Sequence, residues 1–355
     1  MKAQMIYFTE NGGKCAERLL RGLDGIPEKQ RLIGELSVTG SSELIMPLRK
    51  FVGDCFYRFD ALIFVGAAGI AVRMIAPYIS SKATDPAVIV IDETGKYVIP
   101  ILSGHLGGAN AAAQEMAEIL GAEAVVTTAT DLHHAFAVDD FARENRLTVT
   151  DLTAAKKIAS AILSGEKVGF FTECYIEGDC PEELSPDEPG RLNIVLVRKA
   201  GSLRAAKNDQ MLVLIPQRAV LGIGCRRGTP KEAIAAAVES VLKTTGLSID
   251  EIAEIASIDL KKDEDGLREY AQDVKKHLRF YTADELNQAP DGFSYEHSDF
   301  VQKTTGTDNV CERAAVLAAF DADENRGEVK LLAGKTALNG VTVCAAGFSV
   351  KTPRF

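Results

Sequence analysis

The sequence predicts an α/β protein made of several layered units with largely parallel or mixed sheets. Segments typical of buried strands alternate with segments typical of helices along the whole chain. The chain has 355 residues, and at ~150 residues per domain this length predicts two or three domains. We expect an N-terminal domain at 1–130, a middle domain at 131–216 and a C-terminal domain at 217–355.

The composition is that of a globular protein. Hydrophobic residues make up 46% and charged residues 25% of the chain, which excludes a disordered, collagen-like or coiled-coil protein. Lys and Arg number 40 against 50 Asp and Glu, for a net charge of −10. This balance argues against general binding to a nucleic-acid backbone, although basic residues can still cluster locally.

Cysteine usage and hydropathy predict a cytoplasmic protein. The seven cysteines are an odd number without a CxxC pair, which favours a reducing compartment and no zinc site. The start of the chain lacks the apolar core of a secretion signal. The longest apolar run, Ala61 to Val72, is too short to span a bilayer and is cut by Arg73. We therefore expect no membrane anchor.

The first third of the chain alternates between strands and helices. The segment Glu43 to Phe59 is predicted to be helical because its apolar residues recur every three to four positions. A four-residue turn, Glu93 to Lys96, predicts a hairpin between two apolar strands. The predicted strands are Lys2–Thr9, Asp60–Gly66, Ala87–Asp92, Tyr97–Leu102 and Ala122–Thr128, and the other predicted helices are Cys15–Leu23 and Ala109–Leu120.

The middle section has shorter elements. The acidic, proline-containing stretch Glu177 to Gly190 predicts a surface loop, and Pro216-Gln217 predicts the boundary with the third domain. The predicted helices are Val138–Asn145 and Ala154–Leu163, and the predicted strands are Lys167–Thr172, Asn193–Arg198 and Met211–Ile215.

The third section opens with a strand and a helix that has a clear start signal. Thr229 at the N-cap, Pro230 at the first position and Glu232 at the third predict a capping box. Ser248 and Glu251 repeat that spacing. The predicted strands are Ala219–Gly224, Glu254–Ile258, Arg279–Thr282, Val329–Ala333 and Val341–Ala346, and the predicted helices are Pro230–Thr244, Asp263–His277 and Val310–Phe320.

The loop Ser103–Asn110, SGHLGGAN, is the first candidate for chemistry. Its glycines permit positive φ and close approach of a ligand to the backbone, and free N–H groups at a helix start favour an anion or a developing oxyanion. His105 can exchange protons near neutral pH. The alternative is a tight strand-to-helix turn. The candidate residues are Ser103, Gly104, His105, Gly107, Gly108 and Asn110.

The loop Val65–Arg73, VGAAGIAVR, also joins a strand to a helix. Gly66 and Gly69 lie at the turn, without the GxGxxG spacing of a dinucleotide site, and Arg73 could reach a carboxylate. Plain close packing is the alternative.

The segment Thr127–Asp140 follows a strand and carries several acid and base side chains. They could act as acid, base or metal ligands, but adjacent histidines rarely share one ion. The alternatives are exposed loop histidines and a helix-capping role for Asp131. The residues are Asp131, His133, His134 and Asp139.

The segment Gly222–Pro230, GIGCRRGTP, joins a buried strand to a helix. Gly222, Gly224 and Gly228 resemble a loosened dinucleotide fingerprint, but the acidic residue expected about 20 positions later is not evident. Arg226 and Arg227 suit a carboxylate or phosphate, or are simply solvated. Neighbouring arginines could lower the thiol pKa of Cys225, which we nevertheless expect to be structural.

The segment Lys303–Ala315 leads into the predicted helix at Val310. Lys303 and Thr304 offer a charge and a hydroxyl for an anionic group. An ordinary capped helix is the alternative.

Taken together, these segments resemble the cobalamin biosynthesis protein G family, the cobalt-precorrin-5A hydrolases of the anaerobic vitamin B12 pathway. The resemblance covers nearly the whole chain. It includes ALIFVGAAGIAVR, the strand followed by SGHLGGAN, AVVTTATD with AVDDFA, VLGIGCRRGTP, SIDLKKDEDGL, GTDNVCERAA and LLAGKTALNGVTVCAA. The strand followed by SGHLGGAN is its most specific part.

The resemblance implies a reaction on a cobalt-bound corrinoid. The family opens a δ-lactone that joins a ring A acetate to the expelled meso carbon, and releases that carbon with its methyl group as acetaldehyde. The product is cobalt-precorrin-5B. Because the cobalt belongs to the substrate, we expect no added cofactor. We expect no nucleic-acid or membrane partner, and transient contact with neighbouring methyltransferases of the pathway.

This reaction suggests roles for the candidate residues. We expect His105 to be the base, with Asp131 as its orienting group or an alternate base. The N–H groups of Gly107 and Gly108 are the candidate oxyanion site. The corrinoid carries many carboxylates, whose expected partners are Arg73, Arg226, Arg227 and Lys303. The sequence leaves open the oligomeric state and whether the N- and C-terminal loops share one cleft.

Two other functions compete with the hydrolase. One is a non-catalytic corrinoid binder or carrier, because the C-terminal section resembles a stand-alone protein of the aerobic pathway. The other is a nucleotide-dependent enzyme with GIGCRRG as a phosphate loop. The missing P-loop lysine and distal acid count against the second.

Overall fold

The computed structural model describes residues 1–27, 30–133, 135–201, 210–322 and 328–355. The chain folds into two compact units, Met1–Arg143 and Glu144–Phe355. The first unit contains one sheet and the second contains two. These are the expected layered α/β units with mixed sheets. The three-domain division at 130/131 and 216/217 stays a prediction.

The first unit is built on a six-stranded sheet in the order β2-β1-β3-β4-β5-β6. Strands β2, β1, β3 and β4 are parallel, β5 is antiparallel to β4, and β6 is parallel to β5. The strands are β1 Lys2–Tyr7, β2 Glu35–Gly40, β3 Ala61–Val65, β4 Ala87–Ile91, β5 Tyr97–Leu102 and β6 Glu123–Ala124.

Helices cover both faces of this sheet. All five residues of β3 are buried, as expected for a strand between two layers. One core contains residues of α1 and α4, and the core on the other face contains residues of α2 and α3. The helices of this unit are α1 Glu10–Asp24, α2 Leu48–Phe56, α3 Ala68–Ile75, α4 Ala109–Leu120, α5 Ala129–Leu132 and α6 Val138–Glu144, the last extending one residue into the second unit.

The direction of β5 decides where the loops of this unit emerge. Leu102 at the end of β5 pairs with Val88 at the start of β4. Strands β5 and β6 therefore end at the edge where β1, β3 and β4 begin, which we call the amino edge. The loop after β3 leaves from the opposite, carboxyl edge, where Gly66 N donates to Ile91 O at 2.8 Å.

The first sheet of the second unit has five strands in the order β7-β11-β10-β8-β9, all parallel except β7. Its elements are β7 Leu147–Val149, α7 Leu152–Leu163, β8 Val168–Thr172, β9 Leu184–Pro186, β10 Asn193–Leu196 and β11 Met211–Pro216.

The other sheet of the second unit has the order β14-β13-β12-β16-β15, and its first three strands are parallel. Helix α12 packs into the core on one face. The strands are β12 Ala219–Cys225, β13 Ile252–Ile258, β14 His277–Tyr281, β15 Lys330–Leu338 and β16 Val341–Gly347. The helices are α8 Lys231–Thr245, α9 Asp265–Asp273, α10 Ala283–Asn287, α11 Asp299–Thr305 and α12 Cys311–Ala322.

Several expected elements differ from the structure. The helix expected from Glu43 begins only at Leu48, because proline at position 47 lacks an N–H and disfavours helical backbone before it. Of the strand expected at Ala122–Thr128, only Glu123–Ala124 forms a strand, β6. The expected loop Glu177–Gly190 contains strand β9, and strands β2 and β7 were not expected.

The capping box expected at Thr229 is wrong. Helix α8 has the extended Pro230 as its N-cap, with no side-chain cap. The Thr229 hydroxyl instead donates to Arg226 O at 2.7 Å. The box at Ser248 and Glu251 is confirmed and opens a short 3-10 helix.

Within the described ranges, the structure has no helix with both the length and the apolar character needed to cross a membrane.

Candidate active site

The SGHLGGAN loop forms a compact turn at the amino edge of the first sheet. Three backbone bonds close it: Gly108 N to His105 O at 2.8 Å, Ala109 N to Ser103 O at 3.1 Å and Asn110 N to Gly104 O at 3.0 Å. Ser103 has a φ of +56°, a left-handed conformation that is uncommon for serine. The turn holds His105 over the ends of β5 and β6.

His105 has a partner on each ring nitrogen. Its Nδ1 lies 2.5 Å from Asp140 Oδ2, and its Nε2 lies 2.9 Å from the hydroxyl of Thr130. Asp131 Oδ2 is 3.6 Å from Nε2. The side chain of His105 is 16% exposed, so it is accessible at one edge. This Asp–His–hydroxyl order is the arrangement that activates an oxygen nucleophile.

The parallel pairing of β5 with β6 explains why these residues meet. His105 follows β5, and Thr130 and Asp131 lie in α5, which follows β6. Both segments therefore leave the sheet at the amino edge. Asp140 lies in the first turn of α6 and reaches the site from there.

Buried Asn110 fixes the position of Asp131. Its Nδ2 donates to Thr128 Oγ1 at 2.8 Å and to Asp131 Oδ2 at 3.0 Å. Asp131 lies inside α5 and accepts this bond, so the alternative in which it caps a helix is wrong. A Cβ on Gly104 would lie 2.7 Å from Asn110 Oδ1, which explains the glycine there. Asn110 and Gly104 thus have structural roles, and the binding role expected for them stays a prediction.

Acidic neighbours shift the protonation of His105. The hydrogen bond that His105 donates to Asp140, aided by the charges of Asp140, Asp131 and Asp139, raises the pKa of His105 above its usual 6.5 although burial opposes the shift. A larger share of the ring is therefore protonated at neutral pH than in a free histidine.

Basic side chains lie next to the carboxylates. Lys82 Nζ is 2.8 Å from Asp139 Oδ2 and is half exposed. Arg143 lies 3.4 Å from Asp140 Oδ1. These two cations offset part of the negative charge that Asp131, Asp139 and Asp140 bring to the site.

His105 and two of the neighbouring carboxylates could also serve as metal ligands. One ligand atom each from His105, Asp131 and Asp140 lies within 4.8 Å of the others. Both nitrogens of His105 are engaged by Asp140 and Thr130, so an ion would have to displace one of them. The arrangement favours proton transfer over metal binding.

The oxyanion role predicted for Gly108 does not fit this conformation, because its N–H donates to His105 O. The N–H of Gly107 has no acceptor among the residues that the structure describes, so the prediction is retained for Gly107 alone. A Cβ on Gly107 would lie 2.4 Å from Ser103 Cβ, which requires glycine.

The glycines of the loop after β3 do not join this site. Gly66 lies at the carboxyl edge, and Gly69 is exposed near the start of α3. Gly66 has a φ of +154°, and a Cβ there would lie 2.9 Å from Phe8 Cδ2, which supports close packing. Arg73 is exposed on α3 and shares no hydrogen bond or ion pair with the His105 cluster within the described ranges.

The arginine loop lies in the second unit, after β12. Arg226 and Arg227 are exposed. Gly228 N donates to Glu264, which Lys261 approaches at 3.3 Å. This network fixes the backbone beside the two guanidinium groups. The loop remains a predicted carboxylate-binding segment.

The glycines of β12 have packing roles. A Cβ on Gly222 would lie 1.8 Å from Cys311 O, at the start of α12, and one on Gly224 would lie 2.7 Å from Thr342 Oγ1. Gly222 is therefore explained by packing against α12 and Gly224 by packing against β16. Burial raises the pKa of the Cys225 thiol to about 11, which fits the expected structural role.

Lys303 and Thr304 lie on the exposed surface of α11. The Thr304 hydroxyl donates to Phe300 O at 2.7 Å within the helix. Their predicted role in anion binding stays a prediction.

Several residues of the site were not predicted from the sequence. Asp140 and Thr130 lie in a segment that carried candidate residues, but neither was given a role, and Lys82 was not a candidate. A signal was available in the acidic pair Asp139-Asp140 beside a helix start. His133 is exposed at the end of α5, and His134 lies outside the described residues.

Comparison with known proteins is consistent with this picture. Residues 50–131 match the family described as "Cobalamin synthesis G N-terminal", and residues 219–346 match "Cobalamin synthesis G C-terminus". The first match includes His105, Thr130 and Asp131, and the second includes Arg226 and Arg227.

Three curated relatives carry related names. The cobalt-precorrin-5A hydrolase of Salmonella typhimurium is 37% identical over 278 residues, which cover 74% of this chain and 77% of the relative. The protein of the same name from Priestia megaterium is 33% identical, with 79% and 76% covered. The probable cobalt-precorrin-5A hydrolase of Methanocaldococcus jannaschii is 26% identical, with 98% and 99% covered.

Proposed function

Because the chain belongs to the cobalamin synthesis G family, we propose that it is a cobalt-precorrin-5A hydrolase. It opens the δ-lactone of the corrinoid and releases acetaldehyde to give cobalt-precorrin-5B. The observation that carries this proposal is the hydrogen-bonded series Asp140–His105–Thr130, whose central residue lies in the SGHLGGAN loop. Such a series supplies the proton transfers that hydrolysis of an ester bond requires.

His105 accepts the proton of the oxygen that attacks the lactone carbonyl. A carboxylate can only accept hydrogen bonds, so Asp140 keeps the proton of the ring on Nδ1 and leaves Nε2 free to take another. Asp140 also stabilises the imidazolium that forms. It replaces Asp131 as the orienting residue. Asp131, near Nε2, is retained as the alternate base.

The second half of the reaction needs the same base. Ring opening leaves an alcohol on the meso carbon. When this alcohol loses its proton, the carbon–carbon bond to the macrocycle breaks and acetaldehyde departs, with the electron pair and a proton passing to the corrin ring. His105, deprotonated again, is suited to accept the hydroxyl proton.

The remaining assignments concern binding and cellular context. Arg226, Arg227 and Lys303 are retained as proposed partners of substrate carboxylates, whereas Arg73 follows the loop at the opposite edge of the sheet from His105. The cobalt arrives with the substrate, so no added cofactor is needed. The protein works in the reducing cytoplasm, which the seven free cysteines support. Transient contact with pathway methyltransferases remains a prediction.

The test is anaerobic incubation of the pure protein with cobalt-precorrin-5A, with acetaldehyde followed by coupled reduction. Stoichiometric acetaldehyde without an added cofactor is the expected result. Tight corrinoid binding without acetaldehyde would favour the carrier function instead. A thermal shift with NAD, NADP or ATP would favour a nucleotide-dependent enzyme, which the packing role of Gly222 argues against.

A further inference from the structure

We propose that Thr130 is the nucleophile of lactone opening, so that hydrolysis passes through an acyl ester on its hydroxyl. This inference rests on the proposed hydrolase function and adds a covalent step to it. The sequence assigned no role to this residue.

The hydroxyl of Thr130 lies where a base can activate it. Its Oγ1 is 2.9 Å from His105 Nε2, while Asp140 holds Nδ1 from the other side of the ring. Hydroxyl, imidazole and carboxylate thus form one continuous hydrogen-bonded series. This order is shared by hydrolases that use serine or threonine as a nucleophile.

The carboxylate on Nδ1 fixes the direction of the hydrogen bond from Thr130. With the proton of a neutral ring on Nδ1, Nε2 can only accept, so the Thr130 O–H donates to it. A hydroxyl that donates to a base is poised to lose its proton as its oxygen attacks. If both ring nitrogens were protonated, Nε2–H would donate to the Thr130 hydroxyl, and His105 could not accept its proton.

Burial favours Thr130 over a water molecule. Thr130 is 7% exposed and its backbone is held in α5, so its hydroxyl stays beside His105. A water molecule would first have to be bound from solvent. Holding the attacking atom in place removes much of the entropic cost of the step.

The neighbouring hydroxyls lack such a base. Thr128 Oγ1 is engaged by Asn110 Nδ2. Ser103 Oγ is buried, with no hydrogen-bond partner among the residues described, His105 included. Ser103 therefore serves as the rival nucleophile in the test.

In the proposed acylation, Thr130 Oγ1 bonds to the lactone carbonyl carbon and its proton passes to His105 Nε2. The bond between that carbon and the ring oxygen breaks, and His105 returns the proton to the departing oxygen as an alcohol. Water then attacks the threonine ester with His105 as base, giving the free acetate and restoring the Thr130 hydroxyl.

The experiment combines labelling with kinetics in the full-length protein. The probe is an alkyl β-lactone, which acylates an activated hydroxyl to form a stable ester, and peptide mass spectrometry locates the adduct. We expect an ester on the side chain at position 130 in the wild-type protein and in Thr130→Ser. We expect none at this position in Thr130→Val or His105→Gln. In turnover of cobalt-precorrin-5A, Thr130→Val should lose about 10³-fold or more in kcat.

Thr244→Val is the matched control, because Thr244 is exposed on α8 and its hydroxyl donates only within that helix. It should label and turn over like the wild type. An adduct on Ser103 or on a cysteine instead of Thr130, or no adduct at all, would overturn the proposal. So would a Thr130→Val protein with more than a tenth of wild-type kcat.

The hydrolase function and the identity of the nucleophile are tested by different results. If the wild type releases no acetaldehyde, the hydrolase function fails whatever the labelling shows. If the wild type is active but Thr130 stays unlabelled, only the nucleophile is wrong, and Thr130 is then a residue that positions His105. Thr130→Ser keeps the hydroxyl and guards against a folding defect in the valine variant.

Discussion

At the scale of single residues, the partners of His105 decide its chemistry. Asp140 and the carboxylates of Asp131 and Asp139 raise the pKa of His105, which makes it a stronger base but leaves it protonated over a wider range of pH. The nucleophile is activated only by the neutral ring. Activity is therefore tied to the loss of one proton from His105.

The pH dependence follows from the sign of this shift. We expect kcat/KM to rise with pH, with an apparent pKa above 6.5. Asp140→Asn removes the largest cause of the shift, so the midpoint should move down. This variant also loses the carboxylate that keeps the ring proton on Nδ1, so the high-pH plateau of kcat/KM should fall by about 10²-fold or more.

Asp139→Asn is the matched control for that variant. Asp139 is adjacent in sequence and carries the same charge, but it pairs with Lys82 and acts on His105 only through its charge. It should move the midpoint less and leave the plateau nearly unchanged. Equal pH–rate profiles for the wild type and Asp140→Asn would contradict the assignment.

The exposed arginines supply a second prediction at this scale. If Arg226 and Arg227 bind substrate carboxylates in both the ground and transition states, the double alanine variant should raise KM by about tenfold or more with kcat little changed. Lys243→Ala, on the exposed face of α8, is the control for a simple loss of charge. An unchanged KM in steady-state kinetics would show that the two arginines do not bind the substrate.

Sequence reasoning found His105 and Asp131 but not Asp140 or Thr130. The spacing of SGHLGGAN makes His105 conspicuous because glycines surround it. Asp139 and Asp140 lie side by side in the first turn of α6, and only the rotation of that helix decides which one reaches the imidazole. Nothing in the sequence around Thr130 indicates that it lies beside His105. This follows only from the parallel pairing of β6 with β5.

At the scale of elements, close approach of helix and strand explains the glycines of β12. Helix α12 starts almost in contact with Gly222, where an added Cβ would lie 1.8 Å from Cys311 O and 2.8 Å from Ala315 N. Both atoms belong to the backbone and cannot move aside like a flexible side chain. The helix itself would have to shift.

Gly222→Ala should accordingly lower the free energy of unfolding by about 2–4 kcal/mol, measured by urea denaturation. Gly69→Ala is the control, because a Cβ there meets nothing within 4 Å. Gly69 lies in a helix, so alanine should instead add up to about 1 kcal/mol. Similar unfolding curves for Gly222→Ala and the wild type would contradict the packing argument.

Element boundaries followed local signals where these agreed with tertiary packing. The helix Ala109–Leu120 and the hairpin of β4 and β5 were predicted with nearly the observed bounds. The helix expected from Glu43 was too long because its apolar periodicity outweighed the proline at position 47. Strands β7 and β9 have only three residues each, too few for a period to show.

At the scale of the whole molecule, the proposed catalytic residues lie within one folding unit. His105, Thr130, Asp131 and Asp140 all fall in Met1–Arg143, and the cores described above on the two faces of its sheet contain only residues of that unit. The direction of the strands could not be read from the sequence, so residues of the loops after β3 and β5 were both proposed to bind the substrate. The antiparallel β5 separates them.

Residues 1–143 and 144–355, produced as separate fragments, should therefore each unfold cooperatively in urea. The first fragment should also keep the raised pKa of His105, which an NMR titration of the imidazole would show. A first fragment without a cooperative transition, or with a His105 pKa near 6.5, would contradict the assignment of the site to one unit.

The most direct test of the central claim compares the wild type with His105→Gln, anaerobically, with cobalt-precorrin-5A. Acetaldehyde release and corrinoid affinity are measured on the same folded samples. The account predicts stoichiometric acetaldehyde from the wild type, and loss of release with retained corrinoid binding in His105→Gln. Acetaldehyde release at a near-normal rate from His105→Gln would show that the chemistry lies elsewhere in the molecule.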